Sequence, residues 1–185
     1  MTLEKTISDL EKKLVDKEKR QDEVLSLSRE IIRLCAKAIR HYHTGNPDEA
    51  KNVMKLLETG VKKLTKSSAG DFDHIAQNAY QEYAEIMCLS ALLERVKLPT
   101  PTDLGIDVLS YLAGLADCVG ELRRSLQLAL RAGKTKDAEY LFEKMNHIYD
   151  NLMVLKYSSS LVGPLKRKQD MVRGQVEQAR SEMLR

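Results

Sequence analysis

Gln81-Glu82-Tyr83-Ala84-Glu85 sits inside the apolar series Ile75, Ala79, Ile86, Leu89 and Leu93, and that series recurs with the period of an α-helix. Glu82 falls in the middle of the stripe, where helices normally carry core side chains. A second acidic pair, Asp117 and Glu121, stands in Ala116-Asp117-Cys118-Val119-Gly120-Glu121. Spacings of three and four put each pair on one helix face. A lone buried carboxylate is costly, so acids in an apolar stripe imply a compensating cation. Two such helices facing each other would form a carboxylate cluster suited to a hard divalent ion such as Mg²⁺. The plain alternative is that the acids face solvent and keep the helices soluble.

Working outward, the period stays helical almost throughout, and no stretch shows strict strand alternation. Five breaks divide the chain into six helical stretches. Gly45-Asn46-Pro47 ends a first helix running from about Leu3 to His43, with Asn46 placed to cap the next. Ser67-Ser68-Ala69-Gly70 closes the second, with Asp71 as the expected cap of the third. Pro99-Thr100-Pro101-Thr102 separates the third from a fourth, Leu104 to Leu130, which Ala132-Gly133-Lys134-Thr135 ends. Ser158 to Pro164 precedes the last. The expectation is a single all-α domain over residues 1–185, a bundle of about six to seven helices.

Two helices carry unusual patterns. The early part of the first has one narrow apolar seam, Leu3, Ile7, Leu10 and Leu14, among many charges. Such a seam needs a partner within the chain or from another subunit, or else is a thin stripe on a solvated helix. The fourth is apolar nearly all round up to Leu122, with Asp107, Ser110, Asp117, Glu121 and Arg124 as its polar stripe. Gly114 and Gly120 weaken that helix by about 1 kcal/mol each relative to Ala, which suggests close approach of another helix, a metal or a ligand.

The 185 residues suffice for a sizeable core, and 43% apolar with 31% charged residues is ordinary for a globular domain. Three widely spaced cysteines, Cys35, Cys88 and Cys118, argue against a disulfide framework or zinc site and for a reducing compartment, read as the cytoplasm. The charged N-terminal segment lacks a secretory h-region, and no apolar run is long enough for a bilayer span, so no membrane role is expected. His41, His43, His74 and His147 form no His-Glu-x-x-His pattern, and there is no Glu-x-x-His, glycine-rich phosphate loop or nucleophile elbow. A net charge of +3 does not itself point to nucleic acid. Its distribution is more informative. Arg29, Arg33, Lys37 and Arg40 form one basic stripe on the first helix, opposite a packing side of Val24, Leu27, Ile31, Leu34 and Ala38. Such a stripe can track phosphates or simply be solvated. Arg124, three residues past Glu121, is placed to hold a phosphate or pair with the acid; Arg123 and the Lys166-Arg167-Lys168 run with Arg173 are weaker candidates. With two Phe and seven Tyr there is no aromatic ladder, so recognition would favour backbone and shape.

Three blocks resemble the translin family, and within it the translin-associated factor X branch. Ser28-Arg29-Glu30-Ile31-Ile32-Arg33 leading into Ala38-Ile39-Arg40-His41-Tyr42-His43 is similar to the family's first helix. Gln81 to Glu85 resembles its Gln-Glu-Tyr-Val-Glu, and Gly114-Leu115-Ala116-Asp117-Cys118-Val119-Gly120-Glu121-Leu122 its Gly-Val-Ala-Asp-Leu-Thr-Gly-Glu-Leu. The likeness runs from about Arg20 through most of the chain. It implies a translin-like fold assembled into a closed, roughly eight-subunit barrel enclosing RNA, single-stranded or a short duplex. It also implies Mg²⁺-dependent endoribonuclease activity, with Mn²⁺ as a possible substitute. The family's catalytic and metal-binding acids map onto Glu82, Glu85, Asp117 and Glu121. The short connection from Leu98 to Thr102 suggests a small, archaeal-type homologue and favours a homo-oligomer. Two other readings compete with the nuclease: a nucleic-acid-binding oligomer without activity, and, ranked last, an all-α nucleotide pyrophosphohydrolase, whose run of closely spaced Glu residues is absent.

Overall fold

The computed structural model describes residues 2–184. Among them there are helices and no strands: α1 Leu3–His43, α2 Pro47–Ser68, α3 Asp73–Leu93, α4 Pro101–Leu104, α5 Val108–Arg131, α6 Thr135–Met153, α7 Ser159–Val162 and α8 Leu165–Met183. Six long helices match the six stretches read from the sequence. The two additional ones are single turns inside the Pro-rich and Ser-rich breaks.

The breaks fall where expected, but the capping differs: Asn46 precedes α2 without a side-chain cap hydrogen bond, its Nδ2 donating back to Thr44. α3 is not capped by Asp71, which instead pairs with Lys17 of α1 at 3.0 Å. The turn before α3 is closed by Asp73, whose carboxylate accepts from the Gly70 amide at 3.2 Å and from the Ser68 hydroxyl at 3.3 Å. The fourth predicted helix does not begin at Leu104. Thr100 and Asp103 form a reciprocal capping box that starts α4, Gly105 turns it off in the left-handed region, and Asp107 caps α5 through the Ser110 amide. Asp107 is therefore a cap and not part of the acidic stripe, and Ser110 is buried.

α3 is the central element. Tyr80, Tyr83, Ala84, Glu85, Ile86, Cys88, Leu89, Ala91 and Leu92 are all buried, because α1, α2 and α5 surround it. α5 packs on its other side against α6 and α8. The expected packing side of α1 holds, with Val24, Ile31 and Ala38 buried and Leu27 and Leu34 packed against the core. Arg20 marks where α1 reaches the bundle. Its Nε donates to the Ser67 carbonyl at 2.7 Å, and its guanidinium lies over the Phe72 ring at 5.5 Å from the centroid. Before that point α1 extends about 25 Å at 1.5 Å per residue, with Leu3, Ile7, Leu10 and Leu14 exposed.

Gly114 sets the contact between α3 and α5. A Cβ at that position would lie 2.3 Å from the Gln81 carbonyl oxygen, 2.7 Å from the Ala84 Cβ and 2.8 Å from the Glu85 nitrogen. The expectation of a close approach holds here, and the approaching body is the backbone of α3. At Gly120 an added Cβ would meet nothing within 4 Å. A methyl group should therefore have opposite effects at the two sites. Gly114→Ala should lower stability by about 2 kcal/mol, through overpacking against backbone that cannot rotate away. Gly120→Ala should gain up to about 1 kcal/mol of helix propensity. Thermal melts at matched protein concentration would check both signs.

Candidate functional site

The residues facing each other across the Gly114 contact bring both acidic pairs together. Glu82 and Glu85 from α3, Asp117 and Glu121 from α5, and Ala36, Ile39 and Arg40 from α1 line one open cleft of about 520 Å³, with Arg124 at its edge. The most deeply placed acid is Glu85, 8% exposed, rather than Glu82, which is half-buried. The apolar stripe points to Glu82 because it follows α3 alone. Glu85 instead lies where both α1 and α5 flank α3, near Cys35 of the one and Cys118 of the other.

Each acid has a distinct environment. Burial, reinforced by the charges of Glu82, Asp117 and Glu121, pushes the Glu85 carboxyl up to about 8. Burial and the charge of Asp117 also raise Glu82, with Lys168 acting against the shift. Glu121 moves the other way. Its Oε2 lies 2.5 Å from His43 Nε2, and this hydrogen bond, supported by the charges of His43 and Arg124, holds it below the usual carboxylate range. Asp117 is clasped from two sides. Lys168 Nζ of α8 donates to both carboxylate oxygens at 2.6 Å, and Gln81 Nε2 donates to Oδ2 at 2.7 Å.

The donor set fits a hard cation by its chemistry: four carboxylates, two of them with pKa raised by burial and by the charges of their acidic neighbours. Among the described residues, no three His, Cys, Asp or Glu side chains converge as ligands. Asp117 and Glu121 turn toward Lys168 and His43.

The basic stripe is where the sequence puts it. Arg29, Arg33, Lys37 and Arg40 are exposed on α1. Arg40 reaches the acidic cleft, while Arg29 and Arg33 line a shallow depression farther along the same helix. Arg123 is not a free cation. Its guanidinium donates to Glu182 at 2.6 and 3.2 Å and to Gln175 at 3.1 Å, tying α5 to α8. Arg173 is exposed beside Asp170, its neighbour on α8.

Two residues that the sequence reading does not connect with the acids pair with them, His43 with Glu121 and Lys168 with Asp117. His43, whose side chain is 3% exposed, lies three residues past Arg40 and seven past Ala36, on the face of α1 that lines the cleft. That spacing is the available signal. In the sequence Lys168 is part of a basic run, yet it follows Leu165 by three and precedes Val172 by four, on the margin of the buried face of α8.

No protein-family model matches the chain. An uncharacterized protein of Methanocaldococcus jannaschii is 33% identical over 174 residues, spanning 92% of this chain and 78% of that protein. Two solved structures of C3PO from Archaeoglobus fulgidus superpose with a TM-score of 0.89 at 27% and 28% identity, covering 97% of this chain and 95% of theirs; one is a complex with duplex RNA. The apo form of Neurospora crassa C3PO superposes with a TM-score of 0.91 at 20% identity over 100% of this chain and 97% of that one, a likeness of fold alone.

The elevated Glu85 pKa has a thermodynamic consequence. The folded state keeps a proton that the unfolded chain gives up near pH 4.5, so stability falls as pH rises from about 4.5 to 8. Glu121, with its depressed pKa, contributes stability above its unfolded value that is lost on acidification. In chelator, Glu85→Gln should abolish most of the loss toward pH 8 and leave the variant more stable than wild type there, by on the order of a few kcal/mol. Denaturant titrations at pH 5 and pH 8 would measure it.

Proposed function

We propose, from the premise that the chain belongs to the translin family as a Trax-like member, that it is a Mg²⁺-dependent endoribonuclease acting within an RNA-enclosing oligomer. The observation carrying this reading is that Glu82, Glu85, Asp117 and Glu121 line one cleft together with Arg40 and Arg124. Cationic side chains next to a carboxylate cluster suit a phosphodiester, whose phosphate needs positive charge around it and whose cleavage needs an oriented water.

In this reading Glu82, Glu85 and Asp117 would hold Mg²⁺, or Mn²⁺ in its place. The ion would supply Lewis-acid stabilisation of the phosphoryl charge and acidify the attacking water. Glu121, fixed by His43, orients that water for in-line attack. Arg124 and Arg40 receive non-bridging phosphate oxygens, and Arg29, Arg33 and Lys37 continue the backbone track along α1. The substrate is RNA, single-stranded or a short duplex. The duplex-bound relative supports the class of ligand. The assembly is a homo-oligomer, proposed as a closed octamer, and the uncovered seam of Leu3, Ile7, Leu10 and Leu14 gives it an apolar surface to bury.

A second reading, RNA binding without catalysis, is favoured by the engagement of Asp117 with Lys168 and by the lack of three converging ligands among the described residues. Digestion of labelled RNA separates the two. Cleavage should require Mg²⁺ or Mn²⁺, stop in excess EDTA, leave 5′-phosphate and 3′-hydroxyl ends, and drop to background in Glu82→Gln and Asp117→Asn proteins of native helix content. Robust cleavage in EDTA would overturn the carboxylate mechanism, and no cleavage under any metal would leave the binding reading. Independently, Arg33→Glu with Lys37→Glu should weaken RNA binding regardless of sequence. The slope of log affinity against log salt should become shallower by about 1.5, as expected for two lost phosphate contacts. Salt titrations of binding would test it.

A further inference from the structure

Lys168 is the cation most intimately placed among the acids. It comes from α8, a different element from either acidic pair, and its Nζ engages both oxygens of Asp117 at 2.6 Å. Gln81 takes up a further position on Oδ2. A carboxylate held on both oxygens has little left to offer an incoming ion. The influence of Lys168 extends beyond Asp117, since it also counters the raised pKa of Glu82 and of Glu85. It thus partly balances three of the four acids.

The anchoring of this lysine allows its head to move while its backbone stays fixed. Leu165, Val172, Val176 and Ala179 bury α8 in the bundle. The ammonium stands at the end of a flexible four-carbon stem. Arg123 makes the contrast: its guanidinium is held by Glu182 and Gln175.

We propose that Lys168 is a placeholder cation, occupying Asp117 when the cleft holds no metal and displaced from it when a divalent ion binds. This rests on the metal reading of the same cleft. The ammonium limits repulsion among the acids in the empty site, and the incoming ion replaces that charge with a larger one. Two cations cannot share the same carboxylate oxygens without strong repulsion, so binding of the ion and retention of the lysine contact oppose each other.

The test is a Mn²⁺ titration followed by electron paramagnetic resonance, on the full-length chain and on Lys168→Met, Lys168→Gln and Lys168→Arg. The two neutral variants should bind Mn²⁺ about tenfold tighter or more, the size expected for removing a competing charge. The Arg variant should stay near wild type. Wild-type protein supplies a second measurement that needs no variant to fold. The ¹⁵N signal of the Lys168 ammonium, protected by its ion pair without metal, should be lost on saturation with Mg²⁺. Neutral variants that bind Mn²⁺ no tighter than wild type, or an ammonium signal that persists at saturating Mg²⁺, would overturn the placeholder role alone. Absence of Mn²⁺ binding in wild type and all variants would overturn both this role and the metal reading beneath it.

Discussion

The chemistry of this molecule depends on how closely α5 can lie against α3. With no side chain at Gly114, the backbone of α5 lies against the backbone of α3 at Gln81 and Glu85 and against the methyl group of Ala84. That contact falls three residues before Asp117 and seven before Glu121 on α5, and within the acidic pair on α3. A larger residue would wedge the helices apart and separate the two pairs. Glu85 is removed from water between α5 and α1, near Cys118 and Cys35. The spacing of the two acidic pairs thus has its origin in a missing methyl group.

The cleft is destabilising in its own right. Four carboxylates share it, and burial raises Glu85 and Glu82 against their ordinary tendency to ionise. The rest of the bundle offsets this with an apolar core drawn from all six long helices. Two partial remedies lie close at hand, His43 on Glu121 and Lys168 on Asp117. Each comes from a helix other than the two carrying the acids. α1 and α8 therefore serve the cleft as well as the core.

The helical class, the six long elements and the pairing of the acids were legible because they depend on local rules. Apolar residues recur with one period, Gly and Pro mark breaks, and spacings of three or four fix a face. What escaped depends on contacts between elements. Asp71 looked like a cap, but Lys17 from the distant first helix claims it. Glu82 looked like the buried acid, because nothing within α3 reveals that α1 and α5 flank Glu85. His43 and Lys168 carried faint local signals, a position on the cleft-lining face and one on the margin of a buried face, but their partners lie 78 and 51 residues away. The two glycines of α5 were identical in sequence terms, and only the neighbouring backbone tells Gly114 from Gly120.

α1 is one uninterrupted helix from Leu3 to His43. Its outer end is the uncovered apolar arm, its middle carries Arg29 and Arg33, and its inner end delivers Arg40 and His43 to the acids. A helix without a break transmits rotation along its axis as an axle does. The burial of Val24, Ile31 and Ala38 fixes the angular setting of the basic track and of the histidine, and through the same unbroken helix it fixes the direction in which the seam of the arm faces. In the proposed assembly, the orientation of the seam that subunits would bury and the orientation of the acidic cleft are thus set by one helix, and a flexible joint inserted between Arg20 and Arg29 would disengage them while leaving every side chain of the cleft in place.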